Sequence, residues 1–526
     1  MKITKQLLQR VTLILLFAFL FQNMNAADIY SAQNGDWTIS STWVGGNVPT
    51  TADNVIISHK VTVSSVVANP VLGITIDLTA GAELFFTGSG TLTPTGFITV
   101  NKFTTDASWT GTFNVNGIFV IDNDADVSLS GSGTINAGTS IDDYLTMHTG
   151  ATWNWSAGVV NVAGYAHLEG GTLNITNTVT MNISTAGTRN DVNDNKKILS
   201  AFAINFSSSS DKIDFIVENF NTGSGSESYT EAYSTSGSGT VGVKFENTAN
   251  ATGHTLMLKT TQTSMAPLET NIGTGNTLFI ESENGGPLTT SIPSINVTSG
   301  SINLSWWIDM IVNNNFVSAS SDELIIDGII HVNGTLTLNG SGSINNIIGD
   351  GQVSATTYNL GSNDVFGVTP SDGRKSAGGN WIGNTDADWD EESNWSKKIP
   401  TDKTIVLISI DYLGTNKPAV IASAVMARTV ELDGTDISLT VNSSATLTTA
   451  EKGSSGQGGE MVIGAGTSFI VDGGETVIAT SLNADDATVT VENGGTLKVA
   501  TDFNVNANTT VNITSNSAVK VGVDNW

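Results

Sequence analysis

The run TLNITNTVTMNIS, residues 172–184, sets apolar side chains at nearly every second position and Thr, Asn or Ser between them. A period of two sends alternate side chains to opposite faces of an extended strand, so one face can be buried while the other stays wet. The same pattern returns in ITIDL (74–78), TFNVNGIFVI (112–121), TLTLNGSGSI (335–344) and TVTVENGGTLKVATDFNV (488–505), broken by Gly-containing turns. Helical spacing of any length is confined to the segment before Ala27. Only 13% of residues are charged while Gly reaches 55, so short polar side chains must cover the surface. Ser, Thr and Asn compete locally for backbone hydrogen bonds, and Gly and β-branched residues are poor helix formers. The chain is therefore expected to be all-β.

Phrases recur without strict identity: GAELFFTGSGTL, DADVSLSGSGTI, GTLTLNGSGSI and GGTLKVATDFNV each pair a Gly or Asp turn with an alternating strand. Irregular repetition of this kind predicts a parallel β-helix or solenoid, with coils of roughly 20 residues stacking a narrow stripe of Val, Ile and Leu. An array of β-sandwich domains is the alternative, since sandwiches also show short strands separated by frequent turns. The Ser/Gly-rich stretch 207–240 interrupts the first module, 27–370. The hydrophilic SDGRKSAGGN, 371–380, suits a linker to a second module, 381–526. The terminal VKVGVDNW stops in mid-pattern, as expected of a truncated second module or of export by another route.

Residues 1–26 carry Lys2, Lys5 and Arg10 ahead of an apolar run from Val11 to Phe21, the pattern of a signal peptide cleaved near Ala26. No later apolar run is long enough for a spanning helix, so a secreted or outer-surface location is expected. Cleavage takes the formal charge from −28 to about −31, because three basic residues and no acidic one are lost. Such a surface repels nucleic acid and anionic lipid. The absence of cysteine rules out a disulfide framework and thiol ligands.

Trp37 and Trp43 stand six apart, after Asp36 and before Pro49 and the strand-like NVII. Trp389 and Trp395 repeat the spacing, after Asp388 and before Pro400 and another apolar strand. The pattern, with Asp53, Asn54 and Val55 in the first copy, resembles the G8-like module of secreted, multi-module β-helix proteins from the surface of Bacteroidetes-type bacteria. In the second copy Asp402 stands for Asp53 only with a shifted spacing. The resemblance covers only the two Trp blocks and the strands that follow them, implies an extracellular right-handed β-helix with surface or adhesive roles, and supplies no catalytic residue. Trp37, Trp43, Pro49, Asp53, Trp389, Trp395 and Pro400 are read as caps on the solenoid core.

Other motifs offer chemistry, each beside a plainer reading. Trp153 and Trp155, two apart in TWNWSAG, share one strand face and form a candidate sugar platform, or else are buried. Trp306 and Trp307 should face opposite ways on a strand and form none. Asp122, Asp124 and Asp126 alternate in DNDAD as candidate Ca²⁺ ligands, or as an ordinary acidic turn; Ca²⁺ is the one cofactor considered. Arg189, with Asp191 and Asp194, is the nearest grouping to a lyase base and its carboxylates, and otherwise a solvated loop. Asp388, Asp390, Glu391 and Glu392 form the densest acidic group, read as a turn beside the second Trp pair. The five histidines, at 59, 148, 167, 254 and 331, lack zinc-site spacing. Thr-x-Thr runs such as 488–490 raise ice binding, against the ordinary frequency of Thr on exposed strands. The leading expectation is a non-catalytic structural or adhesive protein meeting extracellular glycans or other surface proteins. A polysaccharide lyase or glycoside hydrolase on the same scaffold is the alternative.

Overall fold

The computed structural model describes residues 27–522, except 79–80, 141–142, 185–198, 219–225, 248–251, 340–345, 371–374, 378, 397, 412–417 and 453–456. It is 55% strand and 2% helix, with parallel stacked sheets forming a β-solenoid of about 19 turns. Parallel pairing from coil to coil decides against sandwiches, whose sheets are antiparallel. The signal-peptide segment 1–26 and the Arg189 grouping lie outside the described residues. The chain divides into two compact units: one runs to Asn221 and includes Ala232–Gly242, and the other comprises Thr222–Glu231 and Val243–Trp526.

In the first unit, the register partners Asn54↔Gly73, Ile74↔Ile98, Ile98↔Phe119, Phe119↔Leu145 and Tyr144↔Tyr165 each carry the chain round one coil. A further face stacks Thr112–Val115, Thr134–Ala137, Val159–Val162 and Thr178–Ile183. These strands turn Phe, Ile, Val, Met or Ala inward and, apart from Val159, Thr or Asn outward, as the two-residue period requires. Phe86, Phe103, Phe113 and Phe119 fill one stretch of the core, with ring centroids 5.2–6.4 Å apart. Gly111 sits where successive coils approach closely, and a Cβ there would run into the Gly90 carbonyl.

Strand structure extends into the stretch read as an interruption. Lys212–Glu218 buries Ile213, Phe215 and Val217, and Ser226–Ser236 is also strand. Four of its serines, Ser207–Ser210, form the turn before Asp211, whose buried carboxylate accepts from the Ser208 N–H at 2.6 Å.

The second unit opens with further coils, among them Thr255–Thr260, Thr277–Ser282 and Ser301–Leu304. Towards its C-terminal end it has three faces. They are stacked on Met461–Ile463, Ser468–Asp472 and Glu475–Ile478, whose partners one coil further on are given by Met461↔Leu482, Ser468↔Thr488 and Glu475↔Thr496. One continuous core runs from Trp381, Trp389 and Trp395 through Leu439 and Phe469 to Leu497 and Val499. Residues 375–377 pair antiparallel with 352–354, and 379–380 pair with 406–407, so the linker stretch is itself tied into sheets. Ile405–Ser409 is buried at all five positions, because Ile405 and Leu407 point outward onto Ile329.

Candidate functional site

The two tryptophan blocks are built alike. Trp37 and Trp43 are fully buried, with centroids 5.0 Å apart at 73°, and Trp389 and Trp395 meet at 4.6 Å and 71°. A single turn of 3₁₀ helix separates the rings in each copy, Ser40–Thr42 and Glu392–Asn394. That turn swings the second ring back over the first, so that Trp43 Nε1–H donates to the Trp37 carbonyl at 2.8 Å and Trp395 Nε1–H to the Trp389 carbonyl at 2.7 Å. The first ring's own N–H finds no acceptor among the described residues in either copy. An edge-to-face contact and a satisfied N–H on the second ring fix the pair geometrically as well as burying it.

The polar framing also corresponds. Thr42 Oγ1 donates to the Asp36 carbonyl at 2.7 Å, and at the matching place Asn394 Nδ2 donates to the Asp388 carbonyl at 2.9 Å. After the buried Pro49, Asp53 accepts from the Thr50 N–H and hydroxyl, both at 2.7 Å. After the buried Pro400 the Thr401 N–H is held instead by Thr404 Oγ1 at 3.0 Å, so Thr404, not Asp402, takes the place of Asp53. Burial alone would raise the Asp36 pKa, but hydrogen bonds from Ser64 and Thr38 outweigh it and hold the carboxyl below its ordinary value. The Ser64 hydroxyl donates at 2.5 Å and the Thr38 hydroxyl at 2.7 Å.

The rings that offered a candidate sugar platform are core, the plainer of the two readings. Trp153 and Trp155 share a face as predicted, but it is the inner face: both are fully buried and stacked at 5.1 Å and 13°. Their register neighbours Val127, Leu129, Leu173 and Ile175 are equally buried, so neither indole offers a surface to a sugar. Trp306 and Trp307, expected to point apart, occupy a turn that breaks the alternation. Their half-buried rings lie 5.0 Å apart, with the Lys403 ammonium 5.6 Å from the Trp306 centroid.

The acidic candidates scaffold turns and strands. Asp122 accepts from the Asn123 N–H, Asp124 takes a positive φ of 55° at a kink, and Asp126 accepts from Asn154 Nδ2 at 3.3 Å. All three lie at outward positions of Phe119–Leu129, and among the described residues no three His, Asp or Glu side chains gather closely enough to hold a metal. In the group at 388–392, Asp388 accepts from the Asp390 N–H, and Glu391 caps the 3₁₀ turn through the Ser393 N–H and hydroxyl. Thr488 and Thr490 lie beside Ser468 and Ile470 on one side and Thr510 and Asn512 on the other, a mixed column rather than a threonine array.

What the sequence reading missed is a pair of amide ladders on the outer faces of the first unit. Asn136 donates to Asn114, Asn161 to Asn136 and Asn182 to Asn161, each Nδ2···Oδ1 contact at 2.7 Å. On another face Asn174 donates to Asn154 at 2.7 Å, Asn205 to Asn174 at 2.9 Å, and the Ser236 hydroxyl to Asn205 at 2.6 Å. The Tyr144 and Tyr165 rings stack alongside at 5.0 Å. An amide has two N–H donors and two lone pairs. A ladder uses one of each per residue and leaves the others facing outward at the strand spacing of about 4.8 Å. The chain matches no protein-family model, no curated protein and no solved structure.

Proposed function

We propose that the chain is a non-catalytic structural or adhesive element, exported to the cell surface or beyond it, that presents registered polar columns to glycans or other surfaces. The observation that carries this reading is the ladder Asn114–Asn136–Asn161–Asn182, which repeats the same donor and acceptor from coil to coil. Individually such contacts are weak, and affinity would come from many acting together. Export is supported by the signal-peptide pattern of residues 1–26, and membership among G8-like surface modules by the recurring paired-Trp blocks. The test is co-sedimentation of the full mature chain with insoluble polysaccharides, beside assays for new reducing ends and unsaturated products. Binding without product release is expected. Sustained turnover of any polysaccharide would overturn the reading in favour of a lyase or hydrolase.

A further inference from the structure

The columns of outward side chains on the first unit are broken at one place. Asp28, Asn54 and Gly73 follow in register, and Phe97 continues their column, since it precedes Ile98, the partner of Ile74. Gly73 thus leaves out one side chain between Asn54 and Phe97, whose strands stand two spacings, about 10 Å, apart. The gap opens into a cavity of about 410 Å³, floored by Gly73 and Gly96 and walled by Asp28, Asn54, Leu72, Thr75 and Phe97. That volume suits a small molecule and not a protein segment.

Its lining has two characters. Phe97 is 53% exposed and Leu72 42%, so an aromatic and an aliphatic side chain are held in water beside the gap. Asn54 Nδ2 donates to Asp28 at 3.3 Å, which turns its Oδ1 towards the floor: a Cβ on Gly73 would stand 3.4 Å from that oxygen and 3.2 Å from the Phe97 carbonyl. A ligand with an apolar face and several hydroxyl donors satisfies both characters, as a sugar ring does. A purely apolar ligand would bury the acceptors unpaired. An acidic sugar would meet Asp28, the one charged group of the lining, on a chain of formal charge −28.

We infer that this notch is a subsite for one uncharged pyranose ring of a glycan, its face against Phe97 and its hydroxyls on Asn54, Asp28 and Thr75. The assignment rests on the glycan-facing role proposed above. Calorimetric titration of the full mature chain with cellohexaose, laminarihexaose, mannohexaose and chitohexaose tests it, with polygalacturonate as the charged comparator. Gly73→Ala puts a methyl group into the gap from an extended strand position, 3.2 Å from the Phe97 carbonyl, and Phe97→Ala removes the ring from a solvent-exposed site that the fold does not need. Binding of a neutral oligosaccharide that each variant weakens at least tenfold, with the melting of Phe97→Ala unchanged, is the expected result. Neutral binding that both variants keep within twofold overturns the notch and leaves the glycan-facing role to the amide columns. Binding of polygalacturonate alone also overturns the notch, and binding of no glycan overturns both.

Discussion

Replacing Trp395 by Ala removes a ring that is 3% exposed, its edge contact with Trp389 at 4.6 Å, its contact with Trp381 at 5.0 Å, and the 2.7 Å bond to the Trp389 carbonyl. Deleting a buried aromatic of this size costs about 3–5 kcal/mol. The aromatic contact and the hydrogen bond, each about 1 kcal/mol, lie within that total. Stacked coils unfold through their nearest neighbours, so the loss should be local. Hydrogen exchange is therefore the fitting assay. Amides of Ile405–Ser409 and Thr429–Asp433 should exchange faster by a factor on the order of 100 or more, while those of the first unit stay unchanged. Trp395→Phe keeps the buried ring and loses the indole N–H, and should cost about 1–2 kcal/mol. If Trp395→Ala left the protection of Ile405–Ser409 intact, the ring pair would not be a cap, and a binding role would have to replace it.

Other perturbations separate the remaining parts of the account. Asp53→Ala should destabilise the first block by about 1.5–3 kcal/mol because a carboxylate loses two bonds, whereas Thr404→Ala should cost the second only about 1 kcal/mol, measured by local hydrogen exchange. The Asp36 carboxyl is held below its ordinary pKa, so its contribution is present above the unfolded value of 3.8 and is lost as pH falls through the folded one; Asp36→Asn should flatten that acid limb. Arg428 is buried, donates to the Asp327 carbonyl at 3.2 Å and faces the charges of Asp309, Glu460 and Asp327. Arg428→Ala should cost about 3–5 kcal/mol in denaturant melts. Asp327 has the opposite sign to Asp36: burial raises its pKa and outweighs the Asp350 N–H that lowers it, so protonation there favours the folded state.

The strands were legible because segments such as TFNV and TLNI keep the two-residue period, and buried and outward positions follow it residue by residue. The same period says which side chains share a face but not which face looks out. Trp153 and Trp155 illustrate this: only the register with Val127, Leu129, Leu173 and Ile175 places them inside. Trp306 and Trp307 escaped because a turn suspends the alternation. The tryptophan blocks were visible through identical spacing, yet the match of Asp53 to Thr404 was not, since a hydroxyl does the work of a carboxylate at the same point of the turn. The Asn ladder stayed hidden because its members, at 114, 136, 161 and 182, are unevenly spaced, as turns of unequal length carry the chain round. The notch at Gly73 is a missing side chain, which only register can reveal.

The polar columns of the outer surface depend on coils stacked in parallel and in register. The chain has no cysteine, so an engineered pair reports on this without background. Asn136 and Asn161 are direct partners on adjacent strands, about 4.8 Å apart and within disulfide reach. Asn114 and Asn161 are separated by an intervening strand, at about 10 Å, and are out of reach. The double variant Asn136→Cys/Asn161→Cys should close a disulfide on mild oxidation, seen as a gel shift and a mass loss of about two hydrogens. Asn114→Cys/Asn161→Cys should not close. Failure of the adjacent pair to close, or equal closure of both pairs, would contradict the registered stack.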